Sequence, residues 1–169
     1  MNTKIMNYSS KSLYEGKLIA DESVASHTLK DLEKVEKNNE TNEPILFIDT
    51  TNCDFVETSD EEGSKANIRE SEIVVNYIEK LLSFGVSPSD IGVITPYNAQ
   101  VEFLREKIRK DHQNIEISSV DGFQGREKEV IIISMVRSNS NKEVGFLKDD
   151  RRINVAVKFF YFYFFFFIF

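Results

Sequence analysis

Four short apolar runs along the chain have the length and composition of buried β-strands. They cover residues 45–50, 91–95, 115–120 and 130–136, and turn-forming residues or charged stretches bound each run. The last run, VIIISMV, is apolar throughout, which is typical of a strand buried on both faces of a sheet. We therefore predict at least four strands in the interior of the protein.

Two amphipathic segments between these runs predict helices. In the first, Asn67 and Glu70 have the spacing of a capping box, and Gly85 stands where a helix stop is expected. The apolar positions recur with the period of a helix at Ile73, Val74, Tyr77, Ile78, Leu81 and Leu82. The second segment, NAQVEFLREKIRK, places Val101, Leu104 and Ile108 on one face. The first thirty residues predict a loop that leads into a short helix near residues 23–32.

Strands that alternate with amphipathic helices predict an α/β fold with a mainly parallel sheet flanked by helices. Ligands of such folds bind at the carboxyl ends of the strands. Two segments follow strands in this way: Thr95-Pro96-Tyr97, and the stretch DGFQGREKE after Ser118-Ser119-Val120. We expect both at the same edge of the sheet.

Composition excludes several classes of function. The net charge of −7 argues against a basic protein that coats nucleic acid, although a local cleft could still bind phosphates. A single cysteine, Cys53, rules out a disulfide framework, and His27 and His112 have no partner pattern, so no metal site is predicted. The amino terminus lacks the apolar core of a signal peptide, so we expect an intracellular, unsecreted protein, either cytoplasmic or nuclear.

The stretch DGFQGREKE carries the strongest candidate chemistry. Gly122 and Gly125 permit a tight turn or a close approach, with Gln124, Arg126 and Glu127 beside the second glycine. A guanidinium suits a phosphate, and a carboxylate can accept a hydrogen bond from a ribose hydroxyl. The alternative is a charged loop that only connects two strands.

At two further places in the chain, a functional and a structural interpretation both stay open. Tyr97 could stack on a base, or it could simply pack at the start of a helix. Arg151 and Arg152, within the cluster KDDRR, could face a phosphate or belong to a self-neutralising surface loop.

Taken together, these motifs resemble those of a known family. IGVITPYNAQVEFLREKI, ISSVDGFQGREKEVIIISMVRSN and GFLKDDRRINVA resemble, in order and spacing, motifs IV, V and the first part of VI of superfamily 1 helicases. They belong to the second RecA-like domain of that family, and they are most similar to the branch of the nonsense-mediated-decay and immunoglobulin-mu-binding helicases. The resemblance implies a RecA-like P-loop NTPase fold and ATP-driven 5′→3′ movement along single-stranded RNA or DNA.

The resemblance also assigns roles by position. Tyr97 would be the aromatic residue beside the nucleotide, Glu127 the carboxylate at the ribose, and Arg126 and Gln124 their support. The nucleic-acid backbone would be contacted by Thr95, Pro96, Ser119 and Val120. ATP with Mg²⁺ is expected only in a complete parent enzyme, because both RecA-like domains form its site.

The chain departs from the family pattern at both ends. It contains no G-x-x-x-x-G-K-[ST] phosphate loop, and after Asn154-Val155-Ala156 the family's Leu-Thr-Arg-Ala step, which carries the arginine finger, is replaced by Val157-Lys158 and an aromatic run. We therefore expect a domain incomplete at both ends, inactive alone, whose partner is the missing first RecA-like domain.

The predicted organisation has three parts. Residues 1–44 form an N-terminal loop, helix and charged linker of the same domain, residues 45–156 the RecA-like domain, and residues 157–169 an aromatic tail foreign to it. Alternatives are a non-catalytic nucleotide- or nucleic-acid-binding module, or a tail-anchored membrane protein. The tail has about a dozen apolar residues, short of the roughly 20 that a spanning helix needs, so no membrane partner is expected.

Overall fold

The computed structural model describes residues 1–148 and the strand at residues 165–168. The predicted phosphate-facing pair, Arg151 and Arg152, lies outside the described residues.

Five parallel strands form the sheet that organises the protein: β1 Ile45–Ile48, β4 Ile91–Thr95, β5 Glu116–Ser119, β6 Val130–Ser134 and β7 Phe165–Ile168. Across the sheet their order is β1, β7, β6, β4, β5. Every residue of β4 and β6 is buried, as their apolar sequences require. The predicted α/β class with a mainly parallel sheet is confirmed.

Two helices cover one face of the sheet. Helix α3 (Ile68–Ser83) and helix α4 (Asn98–Ile108) pack their apolar stripes against inward side chains such as Val93, Ile117 and Ile132. The alternate strand residues, including Ile94, Ile131 and Ile133, form a second cluster on the opposite face with Phe123 and Ile5. Both predicted helices are confirmed.

The predicted capping box at α3 is only half correct. The Asn67 side chain accepts a hydrogen bond from the Glu70 backbone N–H at 3.1 Å, as a helix cap does. The Glu70 side chain does not return the bond, because the Asn67 N–H instead donates to Gln100 Oε1 at 2.9 Å. A tertiary contact thus replaces the local one.

The amino-terminal prediction is wrong in its placement of the helix. Helix α1 (Thr3–Leu13) occupies the predicted loop, and within residues 23–32 the structure has only a three-residue 3₁₀ helix, Leu29–Asp31. The Asn2 side chain caps α1 through Lys4 N at 2.9 Å, and Ile5 is buried in the second apolar cluster. Packing against the sheet therefore favours the helix where local sequence signals are weak.

Predictions for four segments around the strands also need correction. Strand β1 ends at Ile48 and is only partly buried, with Ile45 and Phe47 exposed, since it lies at the edge of the sheet. The predicted runs 115–120 and 130–136 shorten to β5 and β6.

The predicted acidic loop contains a short hairpin, β2 (Thr58–Ser59) with β3 (Lys65–Ala66), whose turn is closed by the Asp60 side chain. A four-residue helix, α2 (Asn39–Asn42), precedes β1.

Part of the aromatic tail lies within the sheet. Strand β7 pairs in parallel with β1 on one side, Ile45 opposite Phe165, and with β6 on the other, Ile131 opposite Phe165. It therefore separates β1 from the rest of the sheet. The domain boundary after residue 156 stays a prediction, and this strand lies beyond it. In the part of the chain that the structure describes, no helix has the length and apolar character needed to cross a membrane.

The end of α3 generates a stability prediction. Gly85 has φ +91°, and a Cβ there would overlap the Lys34 carbonyl oxygen. Gly85→Ala should lower the free energy of unfolding by more than about 2 kcal/mol, because the left-handed conformation alone costs about 1–2 kcal/mol and the overlap adds to it. Urea denaturation measures the loss.

Gly63 provides the matched control. It has φ +83° with no atom within 4 Å of the added Cβ position, so Gly63→Ala should show the conformational cost alone. Equal losses in the two variants would contradict the role assigned to the contact with Lys34.

Candidate functional site

A buried ion pair stands at the carboxyl edge of the sheet, just beyond β6. Arg137 Nε donates to Glu57 Oε2 at 2.9 Å, and the two side chains are only 9% and 8% exposed. The same carboxylate oxygen accepts from Ser138 N at 2.8 Å and from Asn139 Nδ2 at 3.2 Å. Glu57 thereby joins the segment after β1 to the segment after β6.

Hydrogen bonding keeps both members of this pair charged. Burial acts to raise the pKa of Glu57, but bonds from Arg137, Ser138 and Asn139 outweigh burial and hold the pKa below its ordinary value. Burial acts to lower the pKa of Arg137, but its bonds with Glu57 and Tyr97 raise the pKa instead. The guanidinium is therefore a fixed cation at this edge.

Tyr97 links this ion pair to the segment at residues 145–148. Its hydroxyl lies 3.5 Å from Arg137 Nη1 and accepts a hydrogen bond from Phe146 N at 3.3 Å. Gly145 has φ +52°, and a Cβ there would overlap both the Tyr97 hydroxyl and the guanidinium. Only glycine permits this close approach.

A cleft of about 530 Å³ opens beside the ion pair, between residues 50–56 and residues 137–144. Its lining combines hydroxyl and amide groups from Thr50, Thr51, Ser138 and Asn139 with the apolar side chains of Phe55, Val56 and Val144. The cleft therefore offers a ligand both hydrogen bonds and apolar contacts.

The residues predicted to contact nucleic acid divide into two pairs. Pro96 and Ser119 are half-buried and lie near the surface, whereas Thr95 and Val120 are at most 2% exposed. Val120 N donates to Thr95 O at 3.1 Å, which ties the ends of β4 and β5 together. Ser119 Oγ accepts from Gly122 N at 3.1 Å. In this conformation Thr95 and Val120 support the edge rather than form its surface.

The predicted nucleotide residues are not gathered in one place. Gln124, Arg126 and Glu127 are exposed on the loop between β5 and β6, and Arg126 forms an ion pair with Glu116 at the amino end of β5. Tyr97 lies at the carboxyl edge, so the structure does not bring it together with Arg126. Their roles at a nucleotide stay predictions.

The reason is the direction of the strands. A loop from the carboxyl end of β5 must return across the sheet before β6 can start parallel to it. Lys128, next to the start of β6, donates to Ser89 O at 2.7 Å on the amino side of β4. The expectation that all of DGFQGREKE lies at the carboxyl edge is therefore wrong for its second half.

A buried polar network lies behind the ion pair and was not predicted from the sequence. Glu70, 2% exposed, accepts from Val136 N at 2.8 Å, and Gln100 Nε2 donates to Ser134 Oγ at 2.8 Å. Burial raises the pKa of Glu70 to about 7, although the hydrogen bond from Val136 acts to lower it.

Sequence reasoning also missed Arg137 as a site residue. The rule that ligands bind beyond the carboxyl ends of strands points directly to it, because it follows the run VIIISMV. Its partner Glu57 had no such signal, since it lies 80 residues away in an acidic stretch. Among residues 1–148, no cluster of three or more His, Cys, Asp or Glu side chains could hold a metal ion.

Comparison with known proteins gives a consistent match. Residues 1–158 match a family model described as an AAA domain. The DNA polymerase alpha-associated DNA helicase A of Saccharomyces cerevisiae is 52% identical over 167 residues, which cover 93% of this chain and 24% of that protein. The DNA-binding protein SMUBP-2 of Rattus norvegicus is 49% identical over 158 residues, covering 93% and 16%.

A more distant relative extends this similarity. The human DNA replication ATP-dependent helicase/nuclease DNA2 is 35% identical over 178 residues, covering 93% of this chain and 17% of that protein. The chain thus spans less than a quarter of the length of each of these three relatives. With the parallel sheet and its flanking helices, the family match confirms the predicted RecA-like α/β class.

The buried ion pair predicts a large effect of one arginine. Arg137→Ala should lower the free energy of unfolding by about 2 kcal/mol or more, because the buried Glu57 carboxylate loses its nearest cation and keeps Lys65, at 3.8 Å, as its ion-pair partner. Arg69→Ala, which breaks a pair with Glu72 where the arginine is 68% exposed, should change it by less than about 0.5 kcal/mol. Chemical denaturation at neutral pH measures both, and equal losses would contradict the importance of the buried pair.

The raised pKa of Glu70 predicts a specific pH dependence. The carboxyl has a pKa of about 7 in the folded protein and an ordinary pKa of 4.5. Its contribution to the free energy of unfolding is therefore fully present below pH 4.5 and is lost as the pH rises through 7. The stability of the parent chain relative to Glu70→Gln should therefore fall between pH 4.5 and 7.5, by at most about 3 kcal/mol. Denaturation of both proteins across this range measures it, and a flat difference would count against the buried carboxylate.

Proposed function

Because this chain belongs to the AAA domain family, we propose that it forms the second RecA-like motor domain of an ATP-dependent superfamily 1 helicase. The observation that carries the proposal is 52% identity to a DNA helicase over 93% of the chain. Residues 91–108, 117–139 and 145–156, the three helicase-like motifs, all lie within the matched region. We place the chain in the branch of the nonsense-mediated-decay and immunoglobulin-mu-binding helicases, with 5′→3′ movement.

The carboxyl edge of the sheet is proposed as part of the track for single-stranded RNA or DNA. Pro96 and Ser119 lie near its surface, and Thr95 and Val120 hold their positions from beneath. A hydroxyl such as that of Ser119 can contact phosphates and sugars of any sequence, which is what a motor on a single strand requires. The net charge of −7 does not oppose this, since the contacts are local.

The loop between β5 and β6 is proposed as part of the chain's half of the ATP site. Arg126 is paired only at the surface, with its side chain 58% exposed, so its guanidinium can turn to a phosphate at little cost. Glu127 and Gln124 are exposed beside it, and Gly125, with φ +83°, shapes the turn that presents them. Arg151 and Arg152 are proposed to face phosphates. Tyr97, which lies apart from Arg126 at the carboxyl edge, is proposed to offer its ring face to a different part of the nucleotide.

The other half of the site would come from the first RecA-like domain. No phosphate loop occurs in these 169 residues, so the phosphates and Mg²⁺ of ATP would lack their main ligands without that partner. We infer that the chain alone does not hydrolyse ATP.

A domain exchange tests the proposal. Residues 1–156 replace the matching segment of the S. cerevisiae helicase, and nucleic-acid-stimulated ATP hydrolysis is measured. We expect the chimera to retain activity, and Glu127→Ala within it to lose at least tenfold in kcat/KM for ATP, because the ribose loses its carboxylate partner. Glu106→Ala, an exposed change on α4, should leave the rate unchanged.

The isolated chain is the negative control. It should show no turnover above background with or without single-stranded RNA or DNA. Stimulated hydrolysis by the isolated chain, or an inactive chimera that is folded and binds nucleic acid, would overturn the proposal.

A further inference from the structure

The chain makes a sharp turn between β6 and the buried arginine. Val136 has φ +75°, a region that β-branched residues avoid, and it is fully buried. Arg137 N donates to Met135 O at 2.8 Å, which closes a three-residue γ-turn around Val136. Such a strained turn persists only where surrounding contacts hold it.

Side chains from the first turn of α3 hold both backbone groups of Val136. Its N–H donates to Glu70 Oε2 at 2.8 Å, and its carbonyl accepts from Asn67 Nδ2 at 3.2 Å. These two bonds replace the ladder partners that the backbone loses where β6 ends. We call Asn67 and Glu70 the clamp.

The clamp is itself fixed by three other elements. Gln100 on α4 accepts from Asn67 N at 2.9 Å and donates to Ser134 Oγ on β6 at 2.8 Å. Asn67 Nδ2 also donates to Phe55 O at 2.7 Å, in the segment that lines the cleft. Asn67 and Glu70 are both 2% exposed, so water cannot substitute for these bonds.

The turn determines where Arg137 points. The guanidinium donates hydrogen bonds to Glu57, Glu143 and the Tyr97 hydroxyl. The Tyr97 hydroxyl then accepts from Phe146 N, at the start of the segment that continues into Arg151 and Arg152. A continuous series of contacts thus runs from α3 to Phe146.

We propose that Asn67 and Glu70 are positioning residues: by holding the γ-turn at Val136 they aim Arg137 at Tyr97 and so dock the segment at residues 145–148. The consequence for ATP turnover rests on the proposed function. The docking itself does not, because every contact in it lies within this chain.

Amide hydrogen exchange on the full chain tests the docking. Glu70→Ala should raise the exchange rates of the Val136 and Phe146 amides at least tenfold, and Glu70→Gln, whose carbonyl can still accept from Val136, should restore both. Glu72→Ala is the matched control on the same helix, where the carboxylate pairs only with exposed or half-buried cations. It should leave both amides unchanged.

Two further variants keep the test decisive if Glu70→Ala does not fold. Asn67→Ser retains a cap acceptor for α3 but cannot reach the Val136 carbonyl, so both amides should exchange faster. Tyr97→Phe removes the hydroxyl that Phe146 contacts, so the Phe146 amide should exchange faster while Val136 stays protected. Unchanged Phe146 exchange in a folded Asn67→Ser or Glu70→Ala chain would overturn the proposal.

The chimeric helicase separates this proposal from the proposed function. Glu70→Ala there should lower kcat for ATP at least tenfold with less than a twofold change in nucleic-acid affinity, and Glu70→Gln should restore kcat. If Glu70→Ala speeds Phe146 exchange but leaves kcat unaltered, the proposed docking stands and its proposed consequence for ATP turnover is overturned. A parent chimera that is folded and binds nucleic acid but is inactive would contradict the proposed function alone.

Discussion

Parallel pairing of β4 with both β5 and β6 is the constraint on which the rest of this structure depends. Each connection between such strands must cross the length of the sheet, because every strand starts at the same edge. Helix α4 makes one crossing, and the loop at residues 121–129 makes the other. The two edges of the sheet therefore differ in chemistry. The carboxyl edge carries Tyr97, Ser119 and Arg137. At the amino edge, Arg126 and Lys128 form ion pairs with Glu116.

The carboxyl edge is held by polar groups that are almost entirely buried. Unpaired, each would cost on the order of 1–3 kcal/mol, and most of these groups bond to one another. Glu57 accepts from Arg137 and two neighbours, Asn67 donates to the Val136 carbonyl, and Gln100 accepts from the Asn67 N–H. The edge thereby gains a fixed shape next to the apolar cluster that contains Val120 and Met135.

The aromatic run at the end of the chain acquires a partial structural role. Four of its residues form β7, between β1 and β6, where backbone pairing is available to any strand-forming sequence. Pairing of this kind depends on backbone groups and β-propensity, so it does not depend on which strand-forming side chains the run carries.

The sequence by itself determined the fold class and the two main helices, because burial on a sheet or helix imposes a period that residues such as Val74, Ile78 and Ile132 display directly. It also determined the helicase resemblance, through motifs contiguous in the chain. Only the tertiary structure decided the rest. Glu57 accepts from Arg137 across 80 residues, Glu70 accepts from Val136 across 66, and the Asn67 N–H donates to Gln100 instead of to the Glu70 side chain. Such bonds depend on which buried groups lack a partner after the chain has packed, and no local pattern contains that information.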